Sequence, residues 1–170
     1  EHLQSVIDRG LYGNYAGHPA LDKGEYQLSY REGERGVYTF CMCPGGIVVP
    51  SASEPQAVVT NGMSEYARDG KNANSALVVS VDQSDFGAGP MDGIAFQRSL
   101  ERAAFSAGGG RYAAPGQTAK SFLDETRPAL PNLLEPTYTL GVRPYPLKML
   151  FPSQINRMLE NGLRRFERRI

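Results

Sequence analysis

Cys41 and Cys43 are the only thiols in the chain, and they stand in the segment Cys41-Met42-Cys43-Pro44-Gly45-Gly46. Two thiols one residue apart could form a redox pair or half of a metal site. Two thiolates complete no tetrahedral zinc site, and no further ligands stand nearby in sequence. The plainer reading is two small buried hydrophobes. The Pro-Gly-Gly turn allows a second use, because glycine lets another backbone or a flat ligand come close. A second polar block, Asn61-Gly62-Met63-Ser64, continues through Arg68, Asp69, Asn72, Asn74 and Ser75. It is either a solvated connection or the hydrogen-bonding edge of a site.

Other catalytic signatures are missing. There is no G-x-G-x-x-G after a strand and no G-x-x-x-x-G-K-[ST], so no phosphate-cradling turn is expected. Gly108-Gly109-Gly110 follows an apolar helical pattern and reads as a helix stop. With only His2 and His18, a histidine metal cluster or a Ser-His-Asp triad is not expected. No catalytic acid or base is identifiable, and no metal is expected.

The elements that must hold these residues read as follows. Leu3, Val6, Ile7 and Leu11 have the spacing of a short amphipathic helix ending near Gly10 or Gly13. Gly13 to Gly24 reads as a loop. Tyr26, Leu28 and Tyr30 alternate as a strand, and a polar turn lies around Gly33. Val37 to Met42 is a β-branched and aromatic strand, followed by short apolar runs at Ile47 to Pro50 and Ala57 to Thr60. Asn61 to Ser75 reads as a polar stretch. Ala76 to Val81 is nearly continuous in apolar residues, the pattern of a strand covered on both faces. Asp92 is expected to cap a helix running to about Ala107, with Phe96, Leu100, Ala103, Ala104 and Ala107 on one face. Gln117 to Leu123 suits one or two helical turns, and Leu130 to Pro146, with four prolines, reads as irregular. Ser153 is expected to cap a last helix, with Ile155, Met158, Leu159, Leu163 and Phe166 on one face.

Strands in a block followed by helices predict an α+β fold, mainly an antiparallel sheet or partial barrel with a helical part. The strand-rich part is expected at about 25–82 and the helix-rich part at about 90–170, together forming a single domain. Lys plus Arg and Asp plus Glu both number 18, so no basic bias points to nucleic acid. No apolar run approaches the length of a membrane span. Two non-framework cysteines and no signal-peptide pattern lead to the expectation of a cytoplasmic protein. The arginines of the last helix, with Glu160 and Glu167, read as a solvated face.

The blocks Val37 to Gly46, Val58 to Ser64, and Arg68 with Asn72-Ala73-Asn74-Ser75-Ala76-Leu77 resemble a widespread bacterial family of uncharacterised FAD-dependent dehydrogenases. Order, spacing and wording of all three agree. Glu1-His2 with Ile7-Asp8, Gly93-Ile94 with Phe96-Gln97, and Leu163 to Ile170 agree as well, so the likeness covers nearly the whole chain. The resemblance implies an inserted domain on the substrate side of a split FAD-binding fold. Its partners would be the two flanking FAD-binding halves of the parent chain and a small-molecule substrate. FAD would be held by the full-length protein, with no cofactor expected on this stretch alone. The same resemblance makes Cys41, Met42, Cys43, Pro44, Gly45, Gly46, Asn61, Gly62 and Met63 the candidates to face the flavin or substrate. A non-enzymatic interaction or assembly module within a flavoprotein, and a thiol redox or metal role, remain the alternatives.

Overall fold

The computed structural model describes residues 1–169. The β-branched and aromatic run around Val37 builds its central strand, β3 (Arg35–Cys43). A two-residue turn joins β3 to β2 (Ser29–Glu32), with Glu32 paired to Arg35. Gly33 takes the first turn position at φ +59°, where the tight hairpin turns call for glycine. On its other side β3 pairs with β6 (Asn72–Val79), and β1 (His2–Leu3) closes the far edge of β6. The order is β1-β6-β3-β2, with every pairing antiparallel. This sheet curls as a half-barrel. A separate antiparallel hairpin is formed by β4 (Ile47–Pro50) and β5 (Thr60–Met63).

Among the described residues there are five α-helices, α1 (Gln4–Tyr12), α2 (Gln83–Phe86), α3 (Asp92–Ala107), α4 (Ala119–Leu123) and α5 (Ser153–Phe166), and two single 3-10 turns at Gly13–Tyr15 and Leu147–Met149. β7 (Ala114–Gly116) and β8 (Val142–Pro144) form a short parallel pair between them. The amphipathic period of α5 places Ile155, Met158, Gly162 and Phe166 inward. One core joins Leu28 and Val37 of the sheet region to Met158 and Phe166. Gly162 lets the helix backbone rest on the sheet, since a Cβ there would stand 2.5 Å from Val37 Cγ1. A second core joins Val58, Ala114 and Tyr138, with Ala104 and Phe105 of α3 and Val142 packed against it. Together these elements make an α+β fold. No helix among the described residues is long and apolar enough to cross a membrane.

Several boundaries differ from the sequence expectation. The strand expected from Tyr26 is β2, which starts at Ser29. The second short apolar run is not itself the strand: Ala57 and Val58 are buried core residues ahead of β5, which begins at Thr60. Asn61–Met63 and Asn72–Ser75 therefore lie in strands, not in a continuous polar loop. The two-faced burial expected of Ala76 to Val81 is also corrected. Asn72, Ala73 and Asn74 are the buried residues of β6, while Ala76 and Leu77 are exposed. The reason is the alternation of β3. Val37 faces α5, whereas Tyr38 and Phe40 point to the opposite side, where they pair with Val78 and Ala76 and stay exposed. Asp92 and Ser153 are the first helical residues rather than the caps, which are Met91 and Pro152; and the segment read as irregular contains β8.

Candidate functional site

The end of β3 is irregular. Pairing with β6 runs to Phe40 opposite Ala76 and resumes at Cys43 opposite Asn74. One extra residue on β3 is therefore accommodated as a bulge. Cys41 sits within it at φ +46°, a left-handed conformation costly for a residue with a Cβ. A regular strand would place Cys41 and Cys43 on one face, and the bulge separates them. Cys41 is exposed and Cys43 half-buried, and both are free thiols. The reading of two buried hydrophobes thus fails for Cys41. Cys43 donates to the Cys41 carbonyl at 3.2 Å, and burial pushes its thiol above the ordinary value, so it is not poised as a thiolate. Among the described residues, no group of three or more His, Cys, Asp or Glu side chains is arranged to hold a metal ion.

Replacing Cys41 tests the strain directly. Cys41→Gly is expected to hold or raise stability by up to about 1 kcal/mol, because glycine accepts positive φ. Cys41→Val is expected to lose at least about 1 kcal/mol, because β-branching fits that conformation worst. Urea unfolding of the three proteins measures both; identical midpoints would show that the bulge is unstrained.

The structure brings the two sequence blocks together. The Ser64 hydroxyl donates to the Pro44 carbonyl at 2.7 Å, and a Cβ on Gly46 would lie 2.6 Å from the Met63 carbonyl oxygen. Pro44, Gly45 and Gly46 are buried. A Cβ on Gly45 would collide with the backbone of Arg68, and one on Gly70 with the Gly45 carbonyl. A Cβ on Gly62 would strike the Asn74 amide, which itself donates to the Ile47 carbonyl at 3.1 Å. The close approaches that these glycines permit are therefore to the chain's own atoms.

Gln4, which the sequence reading passed over, anchors this arrangement. Its side chain accepts from the Gly45 N–H at 3.0 Å and donates to Asp8 Oδ1 at 2.8 Å and the Gly24 carbonyl at 2.9 Å. It is 2% exposed. The signal in the sequence was a polar pair, Gln4 and Asp8, at i and i+4 beside the apolar stripe of α1. The buried Asn72 plays a similar part, donating to the Glu135 carbonyl at 2.9 Å and to Glu1 at 3.2 Å.

What faces outward is Cys41, Asn61 and Met63, with Met42 half-buried beside them in sequence. Met63 is 47% exposed. Asn61 makes no side-chain hydrogen bond among the described residues. An amide, a thiol and a thioether can bind and orient a ligand. His2 is hydrogen-bonded to the Tyr26 hydroxyl at 2.8 Å, and burial holds its imidazole below the ordinary value.

Comparison with known proteins places these residues in a lineage. The family model described as "FAD-dependent protein, C-terminal domain-like" matches residues 1–170. The chain belongs to that family. A protein of Clostridium beijerinckii (strain ATCC 51743 / NCIMB 8052), named only as an uncharacterized protein, is 44% identical over 173 residues. That match covers 100% of this chain and 32% of the relative, so the chain spans about a third of the relative's length. For this FAD-dependent protein, C-terminal domain-like chain, the matched blocks divide into two groups. Pro44, Gly45, Gly46, Gly62 and Asn74 build the junction, and Cys41, Asn61 and Met63 are each exposed.

Proposed function

We propose that this chain is the substrate-side domain of a FAD-dependent oxidoreductase of the dehydrogenase type. In this reading it is inserted between two FAD-binding halves that lie outside it, and it is catalytically incomplete alone. The observation that carries the reading is the convergence of two sequence blocks, Cys41 to Gly46 and Asn61 to Ser64, where Ser64 meets the Pro44 carbonyl and Gly46 packs against Met63. The family match supports FAD as the cofactor of the parent protein.

The residues fit one wall of a flavin contact. The free amide of Asn61 can hydrogen-bond a ring edge or a substrate carbonyl, and Cys41 and Met63 supply soft apolar contact. The buried glycines do not serve as a phosphate cradle, because the chain's own backbone fills the space that they leave. The bound flavin supplies the redox chemistry, and this domain orients the substrate and excludes water. Localisation in the cytoplasm goes with this reading, supported by two free thiols among the described residues.

A second reading, a module for interaction or assembly, is favoured by the uncovered apolar face of the sheet, where Phe40 is 57% exposed. Two measurements separate the readings. The full-length protein is expected to purify yellow and the 170-residue chain colourless, and stoichiometric flavin retained by the chain alone would overturn the division of labour. In the full-length protein, Asn61→Ala is expected to raise KM or lower kcat with the oligomer size unchanged. Unchanged turnover with an altered oligomer would favour assembly.

A further inference from the structure

We infer that the C-terminal end of α5 carries a binding site for the phosphate group of a small anionic ligand. Arg157, Arg164, Arg165, Arg168 and Arg169 crowd the end of a chain whose formal net charge is zero. Three of them, Arg164, Arg165 and Arg168, line one open depression of about 250 Å³ together with Tyr30 of β2 and Asn161 of α5. That volume is below the roughly 300–1,000 Å³ typical of sites for drug-sized ligands. It suits a phosphate group, with the remainder of a larger ligand lying outside.

The neighbouring carboxylates are already engaged. Glu32 of β2 accepts from the Tyr30 hydroxyl at 3.0 Å and from the Asn161 amide at 2.9 Å, and it lies 3.6 Å from Arg157. Glu160 is shared by Lys148 at 3.0 Å and Arg164 at 3.1 Å. Arg164 also donates to the Leu123 carbonyl at 3.0 Å. Glu167 forms no ion pair with these arginines, and Arg165 and Arg168 have neither an ion pair nor a hydrogen bond among the described residues. Two guanidinium groups without a partner among the described residues line this depression beside a third held by Glu160, and their forked donors are of the kind that suits phosphate oxygens. The helix dipole favours cations at this end and accounts for their presence in the last turn. It does not account for their convergence on one depression with Tyr30 of another element.

The site is independent of the flavin reading, and its test is binding. The intact polypeptide that carries this chain is titrated calorimetrically, at fixed ionic strength, with inorganic phosphate and separately with ADP. Saturable binding is expected. It should weaken by about ten-fold or more in the R165Q/R168Q double variant, since loss of even one of its two charge-assisted contacts predicts that much. R165K/R168K should fall between the two, since lysine keeps the charge and loses the fork. ADP binding tighter than phosphate would assign a phosphorylated ligand, and equal affinity would assign free phosphate. The proposal is overturned by unchanged affinity in the glutamine variant, by a lysine variant equal to wild type, or by sodium acetate binding as well as phosphate. Both arginine side chains are solvent-facing and clear of the Ile155, Met158 and Phe166 core, so the variants are expected to fold, which circular dichroism checks.

Discussion

Gly45→Ala is expected to cost about 2–5 kcal/mol of folding stability, the sum of a left-handed conformation and an unrelievable overpacking. Gly45 sits at φ +55°, and an added Cβ would meet the backbone of Arg68 rather than a flexible side-chain tip. Relief would require the Arg68 to Gly70 segment to withdraw. Withdrawal would strain the Lys71 carbonyl, which accepts from the Gln4 N–H at 3.0 Å. Domains of this kind have a net stability of about 5–15 kcal/mol, so the loss is a large share of the whole. Urea unfolding followed by circular dichroism measures it, and a midpoint within about 0.5 kcal/mol of wild type would refute the packing argument. The result also governs how activity data are read. A Gly45 variant without turnover would report a broken fold, whereas an Asn61 variant reports an exposed side chain.

The second large effect is expected at Met158. Its side chain is 1% exposed and fills the space between α5, Val37, Leu28 and Phe166. Met158→Ala is expected to lose about 2–5 kcal/mol, and the volume-conserving Met158→Leu less than about 1.5 kcal/mol. Because Gly162 already lets α5 touch Val37, the helix has little room to settle into the gap. The alanine variant should therefore lie in the upper part of its range. A loss below about 1 kcal/mol would mean that the helix collapses onto the sheet after all.

The elements easiest to read from sequence were those whose burial follows a regular period. α1, α3 and α5 appear where apolar residues recur at helical spacing, and β3 and β4 where β-branched residues cluster. β5 and the start of β6 were hidden because their residues are polar. Asn74 is interior not through apolar character but through its amide, which donates to the Ile47 carbonyl and so ties β6 to β4. Composition counts such a residue as loop-forming, and only the partner strand reveals its use. β7 and β8 are three-residue pieces, each containing a proline, and their pairing depends on distant chain segments. At the site, the segments were legible but their roles were not. The Pro-Gly-Gly turn suggested approach by a ligand, yet the approaching atoms belong to Arg68 and Met63. The exposed Cys41 depends on a one-residue shift in register, which no local pattern announces.

The packing of Val37 against α5 also sets an order of events during synthesis. Strands β2, β3 and β6 leave the ribosome well before Ser153, so the hairpin and its neighbour exist for a time with Leu28 and Val37 uncovered. The chain between them and Met158 must be made before that face can close, and such long-range closure is slow compared with local pairing. A nascent chain stalled anywhere between β6 and α5 would present this apolar face, in addition to the Tyr38 and Phe40 face, to whatever holds unfinished polypeptides.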